Sequence, residues 1–355
     1  DTATAVPAVR RGAIDDALIA AWDDLADRAG AVPFARPGWV LPWAQAAGVR
    51  LEVIAAREGD RLAGILPLAA GRRHLRTPAD WHTPWIEAIA ENENALTALT
   101  TALAATRRPR ITVDFVPAGG PTAQAAAESL AAAGYRLYPR ARLESPYVDI
   151  VGTWESYLAS LSTHRRSELR RRARRLEAAG EVALEVHRSP AGLDALLDEA
   201  FAVESSGWKG RAGTAIAADP ALTTFYRRVA AWAAERDWLR LAFLKLDGRA
   251  LAFDLALETG GRHYLLKTGF DPSHTRLSPG LLLRLHMLEQ AFASDLRCYE
   301  FCGAAEPWKL EWAPATRAVL MIEAFSPTPA GALSRTAARL GRYARTRLRP
   351  APERG

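Results

Sequence analysis

The stretch LEVIAAREGDRLAGILPLAA at residues 51–70 returns in loose form as LRLAFLKLDGRALAFDLALE at 239–258. Each copy reads as an alternating apolar strand, a turn built on Gly and Asp, and a second strand. A repeat at that separation implies two copies of one β-rich unit, and 355 residues suit two domains at roughly 150 residues each. Helical segments precede the second copy. Ser189 and Pro190 are expected to open one, carrying Leu193, Leu196, Leu197, Ala200 and Phe201; Asp219 and Pro220 open another, carrying Leu222, Phe225, Tyr226, Val229 and Trp232. The glycines of ESSGWKGRAGTAIA between them mark an irregular loop.

After the second hairpin come a third strand, RHYLLKTGF, and a helix from about 279 to 293. RCYEFCG and RAVLMIEAF read as further strands. The order predicts an α+β fold, a mainly antiparallel sheet flanked by helices. Residues 1–145 give a looser version of it, with RITVDFV and the helix TAQAAAESLAAAGY, 146–327 the fuller one, and 328–355 a basic tail. In that tail SPTPAGALS reads as a linker and the rest as an amphipathic helix.

The stretch TRLSPGLLLRLHMLEQAF at 275–292 is distinctive. Ser278 suits a helix cap, Pro279 its first position, and Gly280 leaves room for a close approach to the backbone. A helix end of this kind leaves N–H groups and partial positive charge for an anion, here the N–H groups of Gly280 and Leu281, with Arg276 nearby; a core helix capped by Ser278 is the alternative. The first half has no counterpart of this serine-proline-glycine start.

On 250–258, Ala250, Ala252, Asp254, Ala256 and Glu258 share one face, which leaves space for a ligand or for a covering helix, while Leu251, Phe253, Leu255 and Leu257 form a core face. A two-residue turn at Gly260 and Gly261 would set Asp254 opposite Lys267. Asp254 is then either a general base or half of a structural ion pair with Lys267. Glu204, just before the glycine-rich loop, is a second candidate base.

The formal charge of +6 comes almost wholly from arginine, concentrated in HRRSELRRRARR at 164–175 and in RTAARLGRYARTRLR at 335–349, and favours anionic partners. Arg165, Arg166, Arg170, Arg171 and Arg174 could follow a tRNA backbone or anionic lipid, and the tail an acidic surface. Cys298 and Cys302 suggest buried thiols rather than a disulfide framework. The histidines are too scattered for a metal site, and no metal is expected. Lacking a long apolar run or a signal-like start, the sequence predicts a cytoplasmic protein.

In ESSGWKG, AFDLALETGGRHYLLKTGFDPSHTRLSPGLLL and YEFCGAAEPWKLEW the chain resembles the GNAT acyltransferase superfamily and, within it, the CelD-like family named for cellulose biosynthesis. Fem-type aminoacyl transferases are similar in having two tandem GNAT-like units. The resemblance implies an N-acyltransferase that moves an acyl group from acyl-CoA to a small-molecule or peptide amine by direct attack. It places the donor on Arg276, Ser278, Pro279, Gly280 and Leu281. Trp208 and Lys209 would lie near the acceptor, or Trp208 would pin the loop to the core; Glu306, Trp308, Lys309 and Trp312 match an acidic-aromatic-lysine signature, with Lys309 on a donor phosphate or simply solvated. The single glycine of LSPG departs from the superfamily's spaced glycines, which keeps aminoacyl-tRNA open as the donor carrier. A non-catalytic protein of a polysaccharide or membrane assembly is the third reading.

Overall fold

The computed structural model describes residues 8–12, 14–207 and 216–347. Two compact units emerge, one from residues 1–40, 48–143 and 318–355, the other from 41–47 and 144–317.

The chain begins β1 (Ala8–Gly12), α1 (Asp16–Arg28), α2 (Pro37–Ala46), β2 (Leu51–Glu58), β3 (Arg61–Ala70), β4 (His74–Arg76), β5 (Ile89–Ala90), α3 (Glu93–Ala105), β6 (Arg110–Pro117), α4 (Pro121–Ala132) and β7 (Arg136–Asp149). In the first unit β1, β2, β3 and β4 pair antiparallel in sequence, and β4 then pairs parallel with β6. Helix α3 packs on β2 and β3. Ile54, Leu66, Leu99, Ile111 and Leu130 build one core, and Trp22, Leu25, Val53, Ile65 and Phe115 another. Strand β3 is buried from Leu62 to Ala69, as a strand covered on both faces must be.

Next come α5 (Trp154–Ser160), α6 (Thr163–Glu177), β8 (Val182–His187), α7 (Leu193–Ser206), α8 (Pro220–Glu235), β9 (Leu239–Leu246), β10 (Arg249–Thr259), β11 (Arg262–Phe270), α9 (Pro279–Phe292), β12 (Cys298–Glu300), α10 (Pro307–Leu310), β13 (Ala315–Phe325) and α11 (Pro329–Arg347). In the second unit β8, β9, β10 and β11 form an antiparallel run, β11 pairs parallel with β12, and β12 pairs antiparallel with β7. Both repeat copies are therefore hairpins, β2–β3 and β9–β10. Each leads through a third strand and a helix to a strand in parallel. The α+β fold, with its mostly antiparallel pairing, is the one the sequence predicts.

Several local expectations change. Helix α7 starts at Leu193 after Gly192, and Ser189 instead closes a turn by accepting from Ala191 N at 3.1 Å. Asp219 does cap α8, through Ala221 N and Leu222 N. RCYEFCG keeps a strand only over Cys298–Glu300, with both cysteines buried. Strand β13 pairs with β6 from Val319 to Phe325, so the chain returns to the first unit before its tail. The tail's linker shrinks, because the helix already begins at Pro329.

The glycine turn does put Thr259 opposite Arg262, but the ladder slips one residue between Leu255 and Ala256. Asp254 faces Thr268 as a result, and Lys267 faces Leu255, on the other face of the sheet. There Lys267 Nζ sits 5.2 Å from the Tyr226 ring centre. No Asp254–Lys267 pair forms. Strand β10 is buried on both faces from Ala250 to Leu257, so the small-residue face is not open. Helix α9 covers it, filling the room those alanines leave.

Candidate active site

A cavity of about 750 Å³ opens in the second unit where the end of β11, the starts of α6 and α9, the end of α7 and the segment 306–312 meet. Gly269 explains how α7 comes so close: a Cβ there would lie 2.7 Å from the Phe253 ring and 3.2 Å from Glu204 Cα. Only glycine lets the helix seat Glu204 on the cavity wall. Glu204 is 2% exposed, and its Oε2 accepts from Ile216 N at 2.8 Å. The second candidate base is thus a buried carboxylate on the cavity wall.

Ser278, Pro279, Gly280 and Leu281 all line the cavity. Ser278 does not cap α9. Its backbone is left-handed, with φ 55°, and among the described residues no side chain caps the helix's first turn. Its hydroxyl instead accepts from Arg172 on α6. Arg172 also donates to Glu168 Oε1 from both Nε (3.0 Å) and an Nη (2.6 Å), while Arg165 reaches Glu168 Oε2 at 3.1 Å and Glu311 at 2.7 Å. The Arg172 hydrogen bond, with help from Arg165, holds the Glu168 carboxyl below its usual range. Glu168 therefore stays ionised at neutral pH and fixes both guanidinium groups at the wall.

Asp254 is not among the lining residues. It is 0% exposed and takes Arg284 of α9 at 2.7 Å; Arg284 also donates to the Tyr299 hydroxyl. Burial alone would lower the Arg284 pKa, but the charge of Asp254 and the Tyr299 contact outweigh it and raise it. The Asp254 carboxylate is held by Arg284 rather than presented to the cavity. Arg284 itself reaches the cavity wall.

Two expected donor contacts fall elsewhere. Arg276 is exposed and lies outside the cavity lining, its carbonyl accepting from Arg175 at 3.3 Å. Lys309 turns inward, donating to the carbonyls of Cys302 (2.8 Å) and Ala304 (3.1 Å) and pairing with Glu306 at 3.1 Å. Burial lowers its pKa despite Glu306. It pins the 302–306 loop, because a buried ammonium must spend its three N–H groups on local acceptors. Glu306 and Trp308 do line the cavity, with Trp308 Nε1 donating to Glu306 Oε2 at 3.2 Å. Trp208 and Lys209 lie outside the described residues. Among the described residues no cluster of His, Cys, Asp or Glu is placed to hold a metal, and no helix is long and apolar enough to cross a membrane.

Glu168, Arg172 and Arg284 are the site residues that sequence reasoning missed, and Arg165, expected on a tRNA backbone or anionic lipid, lines the cavity instead. The 165–168–172 spacing puts three charged side chains on one helical face, and an arginine inside LLLRLHM is a signal of a buried partner.

Residues 163–310 match the acetyltransferase (GNAT) domain family. The matching stretch runs from the start of α6 to the end of α10 and so carries nearly all of the cavity wall. In overall fold the chain is similar to a protein named as the C-terminal domain of a lysylphosphatidylglycerol synthetase from Agrobacterium fabrum, at 13% identity over 89% of this chain and 96% of that one, with a TM-score of 0.56. It is similar also to FemX, at 13% identity over 88% and 96% with a TM-score of 0.57. A conserved protein of unknown function from Bacteroides thetaiotaomicron aligns at 12% identity over 90% and 100%, with a TM-score of 0.56. At such identities these likenesses establish the fold alone. No curated protein matches the chain.

Proposed function

We propose that the chain is an N-acyltransferase that moves an acyl group from acyl-CoA to an amine by direct attack. The observation that carries this reading is the uncapped start of α9, opening on the cavity beside Arg172. The donor diphosphate binds the N–H groups of Gly280 and Leu281 at the positive end of the helix, with Arg172 adding a charge-assisted contact. Pro279 has no N–H to lose there. The amine nitrogen attacks the thioester carbonyl; Glu204 takes the proton it sheds, the carbon–sulfur bond breaks, and Glu204 passes that proton on through solvent to the departing thiolate, which leaves as the free thiol of CoA. Trp308 and Trp312 give the acyl and acceptor groups apolar walls. The likeness of ESSGWKG and YEFCGAAEPWKLEW to the CelD-like family belongs to this reading.

Titration calorimetry with CoA, combined with turnover of acyl-CoA and an amine panel, tests it. Glu204→Gln should retain CoA affinity while turnover drops about a hundredfold or more. Absence of CoA binding by the unaltered protein would sink the acyl-CoA reading. A second reading, aminoacyl-tRNA as donor, is favoured by Arg170, Arg171, Arg174 and Arg175, which α6 leaves exposed. Salt-sensitive binding of charged tRNA with no response to CoA would select it.

A further inference from the structure

Helix α11 faces the wrong way for a helix that merely finishes a domain. Gly331 is buried, and Ser334, Arg335, Ala338 and Gly341 are half-buried, a face of small and polar residues turned toward its own unit. Gly331 lies so close to the Ser326 carbonyl that no Cβ would fit, and Arg335 donates to the Tyr138 hydroxyl at 3.2 Å. The opposite face carries Leu333, Leu340 and Tyr343, which are 67%, 64% and 58% exposed. Their spacing of seven and three residues aligns them along one side of the 19-residue helix.

Charge follows the same segment. Residues 1–328 hold equal numbers of basic and acidic side chains, so the entire formal charge of +6 lies in residues 329–355. Within α11 itself there are five arginines and no acidic residue. The arginine-rich α6 is balanced by acids in the rest of the chain; α11 is not.

We infer that α11 docks the protein on an anionic lipid bilayer, lying in the plane of the surface. Leu333, Leu340 and Tyr343 enter the boundary between headgroups and acyl chains, and the exposed Arg339, with the net positive charge of the segment, is drawn to lipid phosphates and acidic headgroups. An apolar stripe opposite the packed face, flanked by unbalanced positive charge, is complementary to such a surface. A second copy of the chain would set like charges against each other. The inference does not depend on the acyl donor.

Co-sedimentation of the full chain with vesicles of phosphatidylcholine, with and without phosphatidylglycerol, decides it. Binding is expected to the mixed vesicles alone, to weaken as salt rises, and to fall at least about tenfold in the double variant Leu333→Ser, Leu340→Ser. Both leucines are exposed, so the variant should keep its melting temperature, and Arg339→Gln should weaken binding by a smaller factor. Failure to bind the mixed vesicles, or binding indifferent to the leucine changes, would overturn the inference. So would a dimer in light scattering that the leucine changes dissolve while vesicle binding stays nil.

Discussion

Helices α3 and α9 hold equivalent places in their units, each after three antiparallel strands and before a strand in parallel, yet their first turns are built for different ends. Asn92 is extended and its side chain accepts from Ala95 N at 2.8 Å, with the acidic Glu93 behind it. Helix α3 thus satisfies its own start and puts a carboxylate where an anion would sit. Ser278 is left-handed, caps nothing with its side chain, hands its hydroxyl to Arg172, and has no acid in the turn that follows. The buried faces differ too. Ala95, Leu99, Thr100, Leu103 and Ala104 line that of α3, whereas α9 buries Arg284 against Asp254. One topology therefore supplies either a closed helix end or an open one, and a few residues in the first turn decide which.

The largest effect should come from breaking the ion pair that only α9 has. Asp254→Asn leaves Arg284 buried without its counter-charge, and a loss of about 3–5 kcal/mol in urea unfolding is expected. Asp254→Leu combined with Arg284→Met should recover most of it. A stable, folded Asp254→Asn protein with turnover abolished would return Asp254 to the chemistry. Next comes Gly280→Val. Its branched side chain enters the cavity mouth and meets Phe270 at 3.3 Å, a ring that is 39% exposed and can give way. Donor affinity should fall at least tenfold, while stability changes by about 0.5 kcal/mol or less, the scale of helix propensity. If calorimetry shows unchanged CoA affinity, the open end of α9 is not the donor seat.

Smaller effects contrast the two starts directly. Asn92→Ala should cost about 1 kcal/mol, the usual worth of a side-chain cap. Ser278→Ala should cost much less stability than Asn92→Ala but weaken donor binding, because Arg172 loses one of its two anchors, keeping only Glu168. Equal destabilisation by the two changes would erase the distinction between a closed and an open end. A gain in stability is expected from Ser278→Gly, which relieves a left-handed residue and should add about 0.5–1 kcal/mol in thermal unfolding.

pH separates the ends as well. The Glu168 carboxyl is held below its ordinary 4.5, chiefly by the Arg172 hydrogen bond. A lowered folded-state pKa adds stability that is present above the unfolded value and lost as pH falls through the folded one. The Arg165–Glu168–Arg172 cluster should therefore still hold Arg172 in place at pH 4.5, and donor affinity should weaken only as pH falls further, through the lowered folded-state pKa of Glu168. Glu168→Gln should remove the acid limb of that profile.

By itself the sequence determined the two hairpins, the glycine turn at 260–261, the Asp219 cap and the start of α9 at Pro279, because each rests on alternation or on backbone preferences of neighbouring residues. Local pattern also brought Ser278, Pro279, Gly280, Leu281, Glu306, Trp308 and Glu204 onto the list of candidates. Tertiary structure decided the rest. A one-residue bulge, which no local signal announces, sent Lys267 to the opposite face and left Asp254 to Arg284, thirty positions away. The same holds for Lys309, whose partners lie in the folded-back 302–306 loop, and for Ser278, whose hydroxyl is claimed by an arginine 106 residues earlier. A side chain's partner is set by where the backbone carries it in space, and residues close in sequence say little about charges that only folding brings within hydrogen-bonding distance.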